Sequence, residues 1–291
     1  MNPIIKNHFT ADPTVLTYAD KVWLYTGHDE PPEGVDDYVM KDWLCFSSPD
    51  LLNWQEHPFR LKATDFKWAS GDAYASKVIE RNNKFYWYVA VSHASIAGKA
   101  IGVAVSDHPA GPFTDAIGRA QISGDMIPST GNNKANLDPT VIIDAGNQAY
   151  IVWGNKNCFL AELKDNMTEL DGPVQSIVLP GFSEGANLHR HGDWYYLCYG
   201  YGMPEKVAYA MSKTVTGPWE FKGIINEVPE NCETNRAAII SFKGKNYFFY
   251  HNGKLKNGGS HRRSVCADEL YYRPDGTIAP VMMTDNGILG A

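Results

Sequence analysis

Three acidic residues carry the chemistry that this sequence suggests. Asp12 and Asp138 occur in the same tetrapeptide, Asp-Pro-Thr-Val, at 12–15 and 138–141. Glu184 falls at the matching position of a looser copy, Glu184-Gly185-Ala186-Asn187. Two carboxyl groups facing each other across a glycosidic bond can hydrolyse it with inversion. One must be ionised to activate water and the other protonated to release the leaving oxygen, with ~6.5–9.5 Å between them. A third carboxylate nearby helps keep the acid protonated, because like charges at close range oppose ionisation. A single Asp-Pro or Glu-Gly is more often a turn entry. A duplicated tetrapeptide with a matching Glu favours a functional reading. The residues alone do not order the three roles.

The elements that must position these carboxylates form an internal repeat. Each copy has a start segment, a polar turn and an aromatic strand. The aromatic strands are Lys21-Val22-Trp23-Leu24-Tyr25, Lys84-Phe85-Tyr86-Trp87-Tyr88, Tyr150-Ile151-Val152-Trp153, Trp194-Tyr195-Tyr196-Leu197 and Tyr247-Phe248-Phe249-Tyr250. The first positions of the copies are Asp12, Ala75, Asp138, Glu184 and Arg236, spaced 63, 63, 46 and 52 residues apart. Units of this size suit four-stranded propeller blades, for which ~40–50 residues is usual. A second repeat runs in phase, at Ser47 to Trp54, Ser106 to Phe113 and Ser212 to Trp219, and punctuates hairpin connections. The expectation is all-β, a five-bladed β-propeller occupying 1–291 as a single domain. Its inner strands would bring Asp12, Asp138, Glu184 and Arg236 to one end of the central channel.

Composition excludes several alternatives. Net charge is −7, which argues against a nucleic-acid partner. No apolar run approaches the ~20 residues needed to span a membrane as a helix, so no membrane association is expected. The acidic run His28 to Asp37 reads as a solvated loop, with Asp29 or Glu30 as candidates for a site rim. Cys45, Cys158, Cys198, Cys232 and Cys266 have no metal-type spacing and read as buried free thiols. The start of the chain has no signal-peptide pattern, which suits a cytoplasmic protein or one whose signal has been removed. A monomer is expected.

The segments Ala11-Asp12-Pro13, Leu137-Asp138-Pro139 and Ser183-Glu184-Gly185 together resemble the catalytic signature of glycoside hydrolase family 43. Trp194 to Leu197, Thr216-Gly217-Pro218-Trp219 and Tyr250-His251 extend the resemblance over nearly the whole chain. It implies a five-bladed propeller that cleaves arabinose- and xylose-containing carbohydrates by inversion. It also implies Asp12 as general base, Glu184 as general acid, and Asp138 as the residue that tunes and holds the acid. Trp68 and Tyr74 stand where an aromatic sugar platform is expected, and Arg263, of the pair Arg262-Arg263, where a residue reaching the substrate is expected. No cofactor is required for the chemistry. A calcium ion at the channel axis is an expectation of the resemblance, with His251 as its neighbour. Arg236 departs from the pattern, which has His in a Thr-Asn-His-Pro-like segment. This chain reads Thr234-Asn235-Arg236-Ala237, so Arg236 becomes a candidate hydrogen-bond donor to a sugar hydroxyl. His189-Arg190-His191 reads as a solvated turn.

The expected activity is release of terminal α-L-arabinofuranose. A β-xylosidase and an endo-acting arabinanase or xylanase are the alternatives. A carbohydrate-binding propeller without turnover is the rival from another class, and it would not need all three acids.

Overall fold

Aromatic and β-branched residues alternating along short segments pair into sheets when each face meets another sheet. The computed structural model describes residues 1–288. Five antiparallel sheets are arranged in a ring as a five-bladed β-propeller. The innermost strands are Thr10–Tyr18, Ser76–Arg81, Thr140–Ile143, Asn187–His191 and Ala238–Phe242, in blades I to V. Each pairs with the aromatic strand that follows it, such as Lys21–His28 in blade I and Lys84–His93 in blade II. The in-phase repeats of the sequence connect the third and fourth strands of blades I, II and IV.

The apolar side chains form five buried clusters, one in each seam between neighbouring blades. Trp87 illustrates how a seam is built. Its ring meets Tyr25 edge-on at 4.9 Å and Phe113 at 5.1 Å, while its indole N–H donates to Ser76 Oγ at 2.9 Å. Burying a large apolar side chain contributes ~1.5–3 kcal/mol, and Trp87 does so without leaving a polar atom unpaired.

The ring is closed by the two ends of the chain. Blade V has three strands, Ala238–Phe242, Lys245–Asn252 and Ser264–Leu270. The N-terminal segment lies along its outer edge, where the Ile4 N–H donates to the Val265 carbonyl at 2.9 Å and the Ala267 N–H to Asn2 Oδ1 at 2.9 Å. Ile5 is buried in the seam between blades V and I. An otherwise open strand edge is thus covered. All five cysteines are buried and free.

One expectation fails locally. His189 to His191 is not a turn but the end of the innermost strand of blade IV. Stacking holds it there: His189 lies on Tyr196 at 4.9 Å, and His191 on Tyr272 at 3.7 Å. His189 Nε2 also pairs with the Tyr272 hydroxyl at 2.8 Å. The sequence Tyr271-Tyr272 that supplies this partner follows the last strand and is remote in the chain.

Candidate active site

The duplicated tetrapeptide is a duplicated bulge. In blade I, Ala11 pairs with Gly27 but Thr14 pairs with Tyr25, so one extra residue is inserted at Asp12-Pro13. In blade III, the Gly154 N–H donates to the Leu137 carbonyl while Thr140 pairs with Val152, which is the same offset around Asp138-Pro139. Proline explains the break, since it has no N–H for the ladder. Both aspartates adopt the left-handed backbone, with φ of 49° and 56°. A non-glycine residue held there stores ~1–3 kcal/mol of strain, of which Asp tolerates more than most. The bulge re-aims the side chain, and both carboxylates enter one pocket at the channel mouth.

That pocket encloses about 60 Å³ and is lined by residues from all five blades. Asp12, Asp138, Glu184, Tyr74, Arg236, His251 and Arg263 all line it. Trp68 does not. Its ring packs across Gly102, where an added methyl would come within 2.7 Å of it, and its indole N–H donates to Asp115 at 3.0 Å. Trp68 is therefore a blade II packing residue, a correction to the platform expectation, and of that aromatic pair only Tyr74 reaches the pocket.

The three acids sit in different electrostatic surroundings. Burial pushes the Asp12 carboxyl up, but the Arg263 guanidinium, with Arg236 nearby, outweighs this and holds it below the ordinary carboxylate range. Arg263 Nη1 donates to Asp12 Oδ1 at 3.1 Å. Burial raises Glu184 well above the usual value, and the neighbouring Asp138 and Glu205 raise it further. The Asn155 amide donates to Glu184 Oε2 and opposes the rise. Asp138 is raised by burial, with Arg236 pulling in the other direction. Its Oδ1 is 3.1 Å from Arg236 Nη1, and its Oδ2 accepts the Gly185 N–H at 2.7 Å. Asp138 thus grips the residue next to Glu184. The result is one carboxyl pushed toward its ionised form and another toward its protonated form in one small pocket, which is the arrangement that acid–base chemistry requires.

Four further residues complete the site; of these the sequence names only Asp29, as a candidate for the rim. Glu205 is 2% exposed and accepts the Asn235 N–H at 3.1 Å; burial pushes its carboxyl up to about 7. Asn155 ends the segment Trp153-Gly154-Asn155 and reaches Glu184. Tyr38 lines the pocket with Arg263 lying 4.9 Å above its ring. Asp29 is buried rather than on a rim: its oxygens take Arg263 Nε at 2.9 Å and Nη2 at 3.0 Å. This two-point grip fixes the guanidinium that pairs with Asp12. Arg262 faces away and donates to the carbonyls of Pro31, Pro32 and Val35, pinning the acidic loop.

Gly200 gives Glu205 its room. A methyl group on Gly200 would lie 2.9–3.1 Å from the Glu205 carboxyl. Gly200→Ala is expected to lower stability by ~1–3 kcal/mol through overpacking, measurable as a lower urea midpoint, and to reduce turnover by displacing a charge beside Glu184.

His251 does not fit the metal expectation. It is fully buried, its Nδ1 accepts the Asp12 N–H at 3.2 Å, and its Nε2 faces the Thr234 carbonyl at 3.0 Å. The partners assign a neutral ring with the proton on Nε2, and burial pushes its pKa down to about 3. No ring lone pair is left for a cation. Instead it fixes the backbone of the bulge that carries Asp12. Elsewhere among the described residues, His28, Glu30 and Asp42 converge with metal-type spacing. His28 Nδ1 is already paired with Asp42 at 2.8 Å, and Arg60 lies 3.8 Å from the other Asp42 oxygen.

Comparison with known proteins agrees with the geometry. The model of glycosyl hydrolases family 43 matches residues 1–278. A xylosidase/arabinosidase 43A from Humicola insolens is 28% identical, over 96% of this chain and 98% of its own length. An arabinoxylan arabinofuranohydrolase from Bacillus subtilis is 27% identical, over 99% of this chain and 65% of its own. Among solved structures, an α-L-arabinofuranosidase from Clostridium thermocellum superposes with a TM-score of 0.81 at 32% identity, covering 99% of this chain and 98% of its own. A family 43 β-xylosidase/α-arabinofuranosidase from a compost metagenome, in complex with xylotriose and in a calcium-free form, gives 0.85 at 26% identity, covering 97% of each chain. The bulged aspartates, the split protonation of the acids and these matches agree: the chain is a glycosidase and belongs to glycosyl hydrolases family 43.

Proposed function

We propose that the protein is an exo-acting, inverting glycosidase that releases single terminal α-L-arabinofuranosyl units from plant-type polysaccharides or oligosaccharides. The observation that carries this reading is the opposite displacement of Asp12 and Glu184 within one small pocket. In the proposed reaction Asp12 accepts a proton from water as the water oxygen attacks the anomeric carbon. The bond from that carbon to the leaving oxygen breaks, and Glu184 donates its proton to the departing oxygen. Asp138 orients the Glu184 segment through Gly185 and keeps the acid protonated through its charge. Arg263 and Tyr74 are proposed to contact the sugar hydroxyls and ring face, because they line the same cavity.

The three acids, Tyr74 and Arg263 line one compact pocket at the channel mouth, which favours one sugar unit over a run of several. Arabinofuranose is placed first because the Clostridium thermocellum neighbour, at 32% identity, is an α-L-arabinofuranosidase. The second reading is a β-xylosidase, favoured by the relatives named for both activities. Release of nitrophenol from the α-L-arabinofuranoside and the β-D-xyloside separates the two. Faster turnover of the arabinofuranoside, with the inverted anomer appearing first by proton NMR, is the expected outcome. Faster turnover of the xyloside would move the assignment to xylose, and first appearance of the retained anomer would overturn the mechanism.

A further inference from the structure

Arg236, the residue that breaks the family-like pattern, stands where oxygen atoms from two other blades converge. Its guanidinium enters from blade V. Nη2 donates to the carbonyls of Ser76, in blade II, at 3.4 Å and Pro139, in blade III, at 3.2 Å. Nη1 lies 3.1 Å from Asp138 Oδ1. Two carbonyls and a carboxylate are the oxygen ligands a hard cation such as calcium takes. Here they surround a side chain that is 3% exposed and permanently charged.

The backbone presets that position. The Asn235 N–H is held by Glu205, and the Asn235 amide donates to Asn226 Oδ1 at 2.7 Å and the Glu227 carbonyl at 3.0 Å. His251, the only imidazole lining the pocket among the described residues, has both nitrogens committed to the chain itself. A divalent ion approaching the same three oxygens would have to displace a buried guanidinium and leave it without a partner, which is a costly state.

We propose that Arg236 is a tethered cation that takes the place of a divalent metal ion at the propeller axis, so that the protein folds and turns over without one. Arg236 is thereby a positioning residue: it holds Asp138, which holds the segment of Glu184. The catalytic part of this proposal rests on the glycosidase mechanism above. The metal-binding part does not, and it is read separately.

The first arm uses the wild-type protein, treated with EDTA and then titrated with calcium chloride in a calorimeter. No saturable heat is expected, and neither EDTA nor calcium should move Tm, since an ion that bound the native state would raise it. Saturable calcium binding, or a Tm that rises with calcium, would overturn the proposal whatever the substrate proves to be. The second arm is Arg236→Ala. Its kcat is expected to fall roughly 100-fold with KM little changed, and millimolar guanidinium ion should restore part of the loss. A merely structural role would lower Tm without that rescue. Retention of wild-type kcat, or a fall that guanidinium does not relieve, counts against a positioning cation. Should the alanine variant fail to fold, Arg236→Lys keeps the charge but cannot span both carbonyls, and its kcat should lie below wild type at an EDTA-insensitive level. An Arg236→Lys enzyme that gains activity with calcium would instead show an oxygen site that prefers the metal.

Discussion

Glu184→Gln is expected to lower kcat/KM on an oligosaccharide by roughly 10²–10⁴-fold, the usual contribution of a positioned general acid. The loss should shrink on a nitrophenyl glycoside, whose leaving group departs without a proton. That dependence on the leaving group separates loss of the acid from general damage to the site. Equal losses on both substrates would count against Glu184 as the acid. The substitution also predicts a gain. Glu184 is raised well above its ordinary value, first by burial and then by Asp138 and Glu205. Above the unfolded value of ~4.3, the native state holds a proton that the unfolded chain has released. Stability therefore falls as pH rises from the unfolded value toward the folded one. Glutamine has the same shape and no charge to bury. Its variant should melt at a higher temperature than wild type at pH 7, and the difference should vanish toward pH 4. A Tm difference independent of pH would refute this account of the acid's surroundings.

Asp12→Asn is the second large expected effect. It removes the base while keeping the volume and the bulge, and should cost roughly 10²–10⁴-fold in kcat/KM, now equally on substrates with good and poor leaving groups. The fold should survive because Arg263 keeps its two-point pairing with Asp29. Circular dichroism and Tm near wild type, with activity lost on both substrates, are the expected readings. Full activity on either substrate would remove Asp12 from the mechanism. The two variants also frame the wild-type pH profile. Activity needs Asp12 ionised and Glu184 protonated. Since Asp12 is lowered and Glu184 raised, the acid limb should lie below the ordinary carboxylate range and the basic limb well above it. A profile with both limbs near pH 4 would contradict the split.

Much of this site was legible in the chain because its main devices are local. The Asp-Pro pair writes its own bulge: proline removes a ladder N–H, and Asp tolerates the left-handed backbone that results. Repetition of that pair, in phase with aromatic strands, gave the five blades and the convergence of Asp12, Asp138 and Glu184. Trp68 misled because an aromatic before an inner strand can turn either into the pocket or into the seam. Only the open space over Gly102 decided it.

What the tertiary structure alone decided are the partners. Asp29 and Arg263 are 234 residues apart, and Asp12 and Arg263 are 251 apart. Such pairs exist only once the ring closes and brings blade V against blade I. The tautomer of His251 depends on a backbone N–H in blade I, and the protonation of Glu184 depends on how deeply closure buries it beside Asp138 and Glu205. Sequence determined which groups face the axis, because backbone geometry is set by neighbouring residues. Closure determined their charge, because charge depends on burial and on partners from other blades.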